Sequence, residues 1–470
     1  MSRFGLNKRR EIADTEPGKS ATAPSSDRET FATRMVKPLP HHIVIVGGGA
    51  GGLELATRLG NGLGRSGRAR ITLVDSSRTH IWKPLLHSIA AGSLRRSRHE
   101  LNYMAQAHWR NFRYRNGEMI GLDRAAKTIT LAPLHDEDGR EICPQSSLAY
   151  DTLVIAVGSV TNDFGTPGAK EYSVPLETPE QASRFNRRVV NACLRAQNQS
   201  EPIRPGQLHV AIIGAGATGT ELAAELHHTA REIVAYGLDN IDPERDLRII
   251  LIEAGDRILP ALPQRISDST KDLLTKLGVK VRTGARVAEV MADGVRLADG
   301  EIIPSELVVW CAGVKAPAFL ADIGGLETNH INQLVVRPTL QATRDDDVFA
   351  IGDCASCPRE GFPQPVPPRA QAAHQMAEFM VKQLNDLLAG RPLKKFAYRD
   401  FGSLVSLGKF STVGSLMGLV GRSFFVEGYF ARLMYRALYK MHEAALYGSG
   451  RALLGLFIPG ARPAPTVKLH

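Results

Sequence analysis

Long apolar runs and cysteines are the two features that this sequence has least of. No stretch supplies the 18 consecutive apolar residues that a membrane-spanning helix needs, so we expect any membrane contact to be peripheral. No hydrophobic signal peptide is apparent either. The cysteines form an odd, sparse set: Cys143, Cys193, Cys311, Cys354 and Cys357. This pattern favours a reducing, cytoplasmic setting.

Charge of one sign is not concentrated in any one region. The net charge is +10, which would suit nucleic acid, an anionic membrane surface or anionic substrates. The positive residues are spread over the chain, so charge alone does not choose among these partners. The 43% apolar and 23% charged contents are those of an ordinary globular protein, and 470 residues are enough for two or three domains.

The first 40 residues differ from the rest in composition. They are rich in Ser, Thr, Arg, Lys and Glu and show no apolar period, which predicts a disordered leader. Transit peptides are poor in acids, so the acids of this segment argue against one: Glu11, Asp14, Glu16, Asp27 and Glu29.

Residues 43–60 predict a strand, a tight turn and the start of a helix. Four β-branched residues lead into Gly47, Gly49 and Gly52, which have the spacing G-x-G-x-x-G. In such a turn the first glycine lets the chain turn sharply, the second lets the backbone approach a pyrophosphate, and the third lets helix and strand pack closely. Taken alone, the pattern fits an ordinary glycine-rich turn about equally well.

A short buried strand, residues 71–75, follows and ends in Asp75. An acid at that place accepts hydrogen bonds from the ribose hydroxyls of a dinucleotide. Further along, alternating runs around Tyr114 and Thr128 predict a hairpin, and residues 152–159 predict a buried strand that leaves through glycine.

A second copy of this arrangement begins at residue 209. Strand, turn and helix recur, with Gly214, Gly216 and Gly219 at the same spacing, and the next strand ends in Glu253. Two glycine turns, each answered by an acid-terminated strand, are much more specific than one. The sequence therefore predicts two separate dinucleotide sites.

A third signal lies in residues 347–355, a strand whose end presents Gly352 and Asp353. The acid could bind the hydroxyls of a ribityl chain, although a simple turn aspartate explains it as well. Cys354 and Cys357 follow as C-x-x-C. A redox dithiol or half of a metal site is conceivable, but no second C-x-x-C or histidine cluster accompanies the pair, so we predict no metal site.

These motifs resemble those of the bacterial type II NADH dehydrogenases, single-chain FAD enzymes that reduce membrane quinone without pumping protons. The resemblance covers almost everything from residue 43 to the end, with no counterpart for residues 1–40. It is carried by VIVGGGAGGLELATRLG, ITLVD, WKPLLHSIAAGSL, YDTLVIAVGS, GAGATGTELAAELH, EAGDRILPALP, VVWCAGVKAP, IGGLETNHINQLVV, AIGDCASCP, PPRAQAAHQM and GSLVSLGKFSTVGSLMG.

The resemblance implies an α/β fold with two Rossmann-like dinucleotide-binding domains, the architecture of the two-dinucleotide-binding-domain flavoproteins, and a C-terminal membrane-contacting part. After the leader at 1–40, we expect the FAD-binding domain in two parts, 41–165 and 326–400. The NADH-binding domain, 166–325, would be inserted between them. Residues 401–470 would form the membrane-association region.

The resemblance also assigns the cofactor contacts. Non-covalent FAD would be held by Gly47, Gly49, Ala50, Gly51, Gly52, Asp75, Lys83, Ala156, Gly158, Gly352, Asp353 and Ala370. The substrate NADH would be held by Gly214, Gly216, Ala217, Thr218, Gly219, Glu253 and Gly313. The Glu253 carboxylate would favour the 2′-hydroxyl of NADH over the extra phosphate of NADPH. The nearby positive charge of Arg257 argues against a strict preference for NADH.

Three residues are assigned to catalysis by the same resemblance. Glu221 would face the nicotinamide and flavin; as an acid early in a helix it could instead simply complement the helix dipole. Gln371 and Gln375 match the motif A-Q-x-x-x-Q, and on a helix they share one face, so both amides could bond a quinone oxygen. His374 between them invites a proton-donor role, although a lone histidine is more often structural.

Residues 429–447 predict a basic amphipathic helix. Arg432, Arg436 and Lys440 recur every fourth residue beside an apolar face, which suits either a membrane interface or packing on the protein body. With the resemblance, the expected location is peripheral, on the cytoplasmic face of the bacterial inner membrane. The expected partners are NADH, a membrane quinone (ubiquinone or menaquinone) and the membrane surface, not nucleic acid; a homodimer is compatible with this.

Two other functions remain open at this stage. A sulfide:quinone oxidoreductase would need reactive cysteines at two separated sites facing the flavin, and Cys354 lacks a convincing partner. A basic redox-sensing flavoprotein that binds metal or nucleic acid would leave the Gln371 and Gln375 pair unexplained.

Overall fold

The computed structural model describes residues 39–407, 411–417, 423–427 and 444–446. The chain divides into one unit of residues 1–39 and a second of residues 40–470, and the architecture described below belongs to the second. The predicted leader and most of the predicted C-terminal amphipathic helix lie outside the described residues.

A five-stranded parallel sheet contains the first glycine turn. Its strands lie in the order Val348–Ala350, Thr152–Ile155, His41–Val46, Ala69–Asp75 and Arg113–Asn116. The central strands are continuous apolar runs because helices cover both faces of such a sheet.

The predicted hairpin around Tyr114 and Thr128 is wrong in its first strand. Arg113–Asn116 pairs in parallel with Ala69–Asp75 at the edge of the sheet, and only Thr128 belongs to an antiparallel meander. Alternation predicts a half-buried strand but not its partner, and an edge strand of a parallel sheet alternates as well. The meander orders Ser146–Ala149, Thr128–Leu131 and Met119–Asp123.

A second five-stranded parallel sheet contains the second glycine turn. Its strands lie in the order Val174–Pro175, Leu307–Trp310, His209–Ile213, Arg248–Ile252 and Lys280–Arg282. An antiparallel sheet of Val287–Met291, Gly294–Leu297 and Ile302–Pro304 accompanies it.

The remaining strands form small sheets. Gly402–Leu407, Ser411–Met417 and Ser423–Glu427 make a three-stranded antiparallel sheet. The two-stranded pairs are Val160–Thr161 with Val314–Lys315, Leu334–Val335 with Ala355–Ser356, Thr79–His80 with Leu101–Asn102, and Leu134–His135 with Glu141–Cys143.

Eight α-helices and a helical fragment at 444–446 occur in the described part of the chain. The eight helices are α1 Ala50–Leu59, α2 Leu86–Ala91, α3 Tyr103–Arg110, α4 Ala169–Tyr172, α5 Pro179–Asn198, α6 Ala217–Ala235, α7 Gln264–Lys276 and α8 Ala370–Leu388. Gly60–Gly64 continues α1 as a π-helical turn, and 3-10 segments occur at Lys83–Leu85, Arg96–Arg98, Ala318–Gly325 and Gly352–Cys354.

Helix packing brings the two sheet regions together. Helix α1 packs on α8, whereas α2 packs on both α5 and α6. Helix α5 begins with a capping box, in which Thr178 and Gln181 satisfy each other's backbone N–H groups. Within the described residues, no helix combines the length and apolarity that crossing a membrane would require.

Candidate active site

The two glycine turns have nearly the same geometry. Gly47 and Gly214 both adopt positive φ, +102° and +100°, at the point where strand turns towards helix. A Cβ on Gly52 would overlap the Gly47 carbonyl oxygen, and a Cβ on Gly219 would overlap that of Gly214. These four positions therefore need glycine for the turn itself and for close helix packing.

The middle glycine of each turn faces open space. A Cβ added to Gly49 or to Gly216 would meet no atom within 4 Å. Each of these glycines is the N-cap of its helix, α1 or α6, and no side chain of the described residues caps either one. The amide groups of both helix N termini are therefore available for a phosphate.

An acid ends the second strand beside each turn. Asp75 accepts hydrogen bonds from the backbone N–H groups of Gly48 and Ser77, at 2.5 and 2.7 Å. Glu253 accepts them in the same way from Ala215 and Gly255, at 2.8 and 2.9 Å. Burial raises the pKa of Asp75. Each carboxylate is thus tied to the turn that it was predicted to serve.

Lys83 and Asp353 both hydrogen-bond to Ser159. Lys83 Nζ donates to the Ser159 carbonyl at 2.8 Å, and Ser159 Oγ donates to Asp353 Oδ2 at 2.8 Å. Burial raises the pKa of Asp353, although the Ser159 hydrogen bond and the Lys83 charge oppose this. Gly352 has φ +74°, a conformation that favours glycine.

We call the turn at Gly47, Gly49 and Gly52, together with Asp75, Lys83 and Asp353, the first cradle. Two further side chains contact it that the sequence did not predict. Tyr103 Oη donates to the Gly48 carbonyl at 2.7 Å, and His80 Nδ1 lies 2.9 Å from the same oxygen. Burial lowers the pKa of His80 to about 4. His80 belongs to the strand Thr79–His80, Tyr103 begins α3 directly after its partner strand Leu101–Asn102, and no local motif marks either side chain.

The remaining predicted contacts fall near these cradles. Ala50 and Gly51 begin α1, and Ala217 and Thr218 begin α6. Ala156 and Gly158 follow the strand Thr152–Ile155, Gly313 follows Leu307–Trp310, and Ala370 begins α8. A Cβ on Gly47 would overlap Ala156, and one on Gly214 would lie 2.6 Å from Ala312 Cα, so each closing strand lies directly against its turn.

Arg257 does not lie against the Glu253 carboxylate. Its guanidinium donates to Gln264 Oε1 at 3.0 Å and to the Pro260 carbonyl at 2.9 Å. The positive charge is therefore directed towards the start of α7.

Glu221 is a buried carboxyl at the junction of α2, α6 and the strand Gly402–Leu407. Its Oε1 accepts from the Ser406 N–H at 2.9 Å, and its Oε2 lies 3.3 Å from His87 Nδ1. Burial raises its pKa. Glu221 is the fifth residue of α6, beyond the first turn, so complementing the helix dipole does not explain it.

Gln371 and Gln375 share one face of α8, as their spacing predicts, and both hold the segment 399–402. Gln371 Nε2 donates to the Gly402 carbonyl at 3.0 Å and to Asp400 Oδ1 at 3.2 Å. Gln375 Nε2 donates to the Arg399 carbonyl at 2.8 Å. Their role towards a quinone stays a prediction.

His374 points elsewhere. Its Nδ1 lies 2.6 Å from Glu54 Oε2, and the other oxygen of this buried carboxylate accepts from Arg58 Nε at 2.7 Å. The Glu54 hydrogen bond raises the pKa of His374. Compensation of a buried charge on α1 accounts for this histidine.

Cys354 and Cys357 are free, buried thiols. Burial raises the pKa of each to about 12. Reactive cysteines need an accessible thiolate, which neither position provides. Among the described residues, no group of three His, Cys, Asp or Glu side chains is arranged to hold a metal ion.

The first cradle fits FAD. The side of Gly49 is open, as a diphosphate would require, the half-buried Asp75 and Asp353 carboxyls could accept hydrogen bonds from hydroxyl groups, and the Lys83 charge opposes the rise in the pKa of both. The second cradle, the turn at Gly214, Gly216 and Gly219 with Glu253, has the same open side at its middle glycine and an acid at the same place.

Comparison with known proteins agrees with this geometry. Residues 41–377 match the family described as pyridine nucleotide-disulphide oxidoreductase. The chain is 41% identical to a type II NADH:quinone oxidoreductase of Haemophilus influenzae, over 91% of this chain and all of that one. It is 28% identical to the type II NADH:quinone oxidoreductase Ndh of Mycobacterium tuberculosis, over 81% of this chain and 80% of that one.

Solved structures share the fold. NDH2 of Plasmodium falciparum in complex with NADH has a TM-score of 0.73 at 19% identity, covering 91% of this chain and all of that one. The sulfide:quinone oxidoreductase of Aquifex aeolicus has a TM-score of 0.68, also at 19% identity and with the same coverage. Because one fold serves both activities, the fold does not separate them, whereas the 41% identity does. This chain belongs to the pyridine nucleotide-disulphide oxidoreductases and, within them, to the type II NADH:quinone oxidoreductase family.

Proposed function

We propose that the chain oxidises NADH and passes the electrons through non-covalent FAD to a membrane quinone, without pumping protons. The observation that carries this is the pair of matched cradles and the segment between them. Lys83 lies at the acids of the first cradle, and His87, one helical turn later, contacts Glu221 on the helix of the second. Connected elements would thus hold the two dinucleotides.

Bound FAD would supply the redox chemistry, namely hydride acceptance from NADH and two-electron transfer to quinone. The protein binds and orients. We assign the first cradle to FAD, through Gly47, Gly49, Gly52, Asp75 and Asp353. We assign the second to NADH, through the turn at Gly214 and through Glu253.

We assign Glu221 to the nicotinamide. A buried carboxyl with a raised pKa can accept a hydrogen bond from the nicotinamide amide or take part in proton transfer. Glu221 Oε1 accepts a hydrogen bond from the Ser406 N–H, which connects Glu221 to the strand Gly402–Leu407.

We assign Gln371 and Gln375 to the quinone side. Gln371 bonds Gly402, the first residue of the strand that also contains Ser406, so one strand connects this face of α8 with Glu221. A neutral amide can bond a quinone oxygen without burying a charge. To do so, these amides exchange their bonds to residues 399–402 for bonds to the quinone.

The divisions of the chain and its place in the cell complete the proposal. Residues 41–165 and 326–400 form the FAD-binding domain and 166–325 the NADH-binding domain. The region 401–470 meets the cytoplasmic face of the bacterial inner membrane through the basic helix expected at 429–447, and a homodimer is compatible with this. Leu446 is buried against the protein body, and its carbonyl accepts a hydrogen bond from Gln106 Nε2 at 3.0 Å. This contact supports packing of residues near 446 on the protein body.

A sulfide:quinone oxidoreductase has the same fold but is not favoured. Its chemistry needs accessible thiolates, and burial raises the pKa of Cys354 and Cys357 to about 12.

Steady-state kinetics test the proposal. The purified protein should oxidise NADH with a soluble quinone, prefer NADH to NADPH, and release FAD on denaturation.

In the quinone-side test, Gln371→Ala and Gln375→Ala should slow quinone reduction while NADH still bleaches the flavin at the wild-type rate. Normal quinone turnover in both variants would refute their assignment. Reduction of the flavin by sulfide but not by NADH would refute the proposed activity.

A further inference from the structure

His87 lies between two carboxylates where helices α2 and α6 meet. Its Nδ1 is 3.3 Å from Glu221 Oε2, and its Nε2 is 3.2 Å from Glu225 Oε2. The imidazole is only 5% exposed. A neutral imidazole carries one N–H and can satisfy one carboxylate, whereas the imidazolium satisfies both.

The two carboxylates differ in their other partners. Glu225 accepts hydrogen bonds from the hydroxyls of Ser88 and Ser93. It also accepts one from His87. Burial acts to raise the pKa of Glu225, but these hydrogen bonds and the His87 charge outweigh it, so the pKa is lowered. For Glu221, burial outweighs the His87 charge and the Ser406 N–H, and the pKa is raised.

The imidazole responds to both acids. Burial acts to lower the pKa of His87, but the charge of Glu221, the charge and hydrogen bond of Glu225, and a hydrogen bond to the Pro84 backbone together raise it. The groups that act on Glu221 are His87, the Ser406 N–H and Glu225. Glu221 is thus a buried acid whose one neighbouring cation, among the groups that act on it, is His87.

We propose that His87 is the positioning residue of Glu221. As an imidazolium anchored on Glu225 and its two serines, it fixes one Glu221 oxygen and holds the carboxylate ionised, so that Glu221 meets the nicotinamide as a hydrogen-bond acceptor. Because α2, which contains His87, follows directly on the 3-10 segment that contains Lys83, this stretch of chain connects the carboxylate with the FAD cradle. This inference rests on the proposed role of Glu221.

The test is the pH profile of flavin reduction by NADH, measured on the holoenzyme by anaerobic stopped flow. The wild-type rate should fall in acid as Glu221 becomes protonated. In His87→Gln this acid limb should move to higher pH by about one to three units, since an opposite charge in contact lowers a carboxyl pKa by that amount. A His87 that only fills space would lower the rate at every pH and leave the limb in place, which would overturn the inference.

A second variant removes the anchor of the imidazolium. Glu225→Gln takes away one of the two acids that raise the pKa of His87 and also the like charge that raises the pKa of Glu221, so its two effects on Glu221 oppose each other and its acid limb should move less than in His87→Gln. An upward shift in Glu225→Gln as large as that in His87→Gln would mean that general disruption of the cluster, rather than the His87 charge, moves the limb, and would refute the inference. Ser93→Ala, which removes one hydrogen bond to Glu225 and none to Glu221, is the matched control and should keep the wild-type limb.

Glu221→Gln separates this inference from the function on which it rests. If that variant reduces flavin at the wild-type rate at all pH values, the proposed role of Glu221 fails. If Glu221→Gln loses the acid limb while His87→Gln shows the limb at the wild-type pH, only the role of His87 is wrong. Thermal unfolding of each variant shows that the comparison is made on folded protein.

Discussion

Replacement of the middle glycine in each turn should separate the two cofactor sites. A Cβ at Gly49 or Gly216 meets no protein atom within 4 Å. Both residues have extended backbone, with φ of −65° and −71°, which alanine adopts freely. We therefore expect Gly49→Ala and Gly216→Ala to fold, with stability changes within about 0.5 kcal/mol when no cofactor is bound.

The new methyl group takes the space that a diphosphate would use. Displacing the phosphate from a helix N terminus costs charge-assisted hydrogen bonds, each worth about 1.5–3 kcal/mol, or roughly a 10- to 100-fold loss of affinity. In Gly49→Ala this loss should fall on FAD, measured as the dissociation constant from fluorescence titration of the apoprotein. In Gly216→Ala it should fall on NADH, measured as KM, with FAD retained.

Gly52→Ala provides the contrast. A Cβ there overlaps the Gly47 carbonyl oxygen, so this variant should lose about 1–3 kcal/mol of stability even without cofactor. The reasoning would be refuted if Gly49→Ala weakened NADH and spared FAD, if Gly216→Ala did the reverse, or if either variant unfolded as readily as Gly52→Ala.

Three further predictions follow from single side chains. Unfolded His80 binds a proton near pH 6.5 but folded His80 only near pH 4, so the free energy of unfolding should fall by up to about 3 kcal/mol as the pH drops through this window. In His80→Asn the free energy of unfolding should depend less on pH over the same window. An unchanged pH dependence would contradict the neutral, buried state of His80. Glu253→Gln should lower kcat/KM for NADH by roughly 10- to 100-fold, because a charged acceptor for the ribose hydroxyls is lost. It should also reduce the preference for NADH over NADPH, because the repulsion between the carboxylate and the 2′-phosphate disappears. An unaltered preference would mean that other residues select NADH over NADPH. Cys354→Ala should cost about 1 kcal/mol of stability with kcat unchanged, whereas loss of turnover at unchanged Tm would indicate thiol chemistry.

Local patterns account for the parts that could be predicted. Glycine spacing, a strand-ending acid and a helix-stopping glycine are determined within a few residues, so both turns, Asp75 and Glu253 were predictable. The end of α2 at Gly92, which has φ +85°, follows from the same kind of signal.

Long-range packing accounts for what was missed. His80 and Tyr103 reach Gly48 from 32 and 55 residues away, and Glu225 shares an imidazole with Glu221 only because α2 packs on α6. The sequence showed that Gln371 and Gln375 share a helix face, but not that residues 399–402 cover it. The edge strand Arg113–Asn116 was predicted in a hairpin because alternation does not identify its partner.

Sequential mixing of the holoenzyme tests the central claim most directly. Under anaerobic conditions NADH is added first, and the flavin absorbance is followed by stopped flow; a soluble quinone is added second. The account predicts that NADH bleaches the flavin fully and that quinone restores its absorbance, each at a rate no slower than steady-state turnover. A flavin that NADH leaves oxidised, or a bleached flavin that quinone leaves reduced, would contradict it.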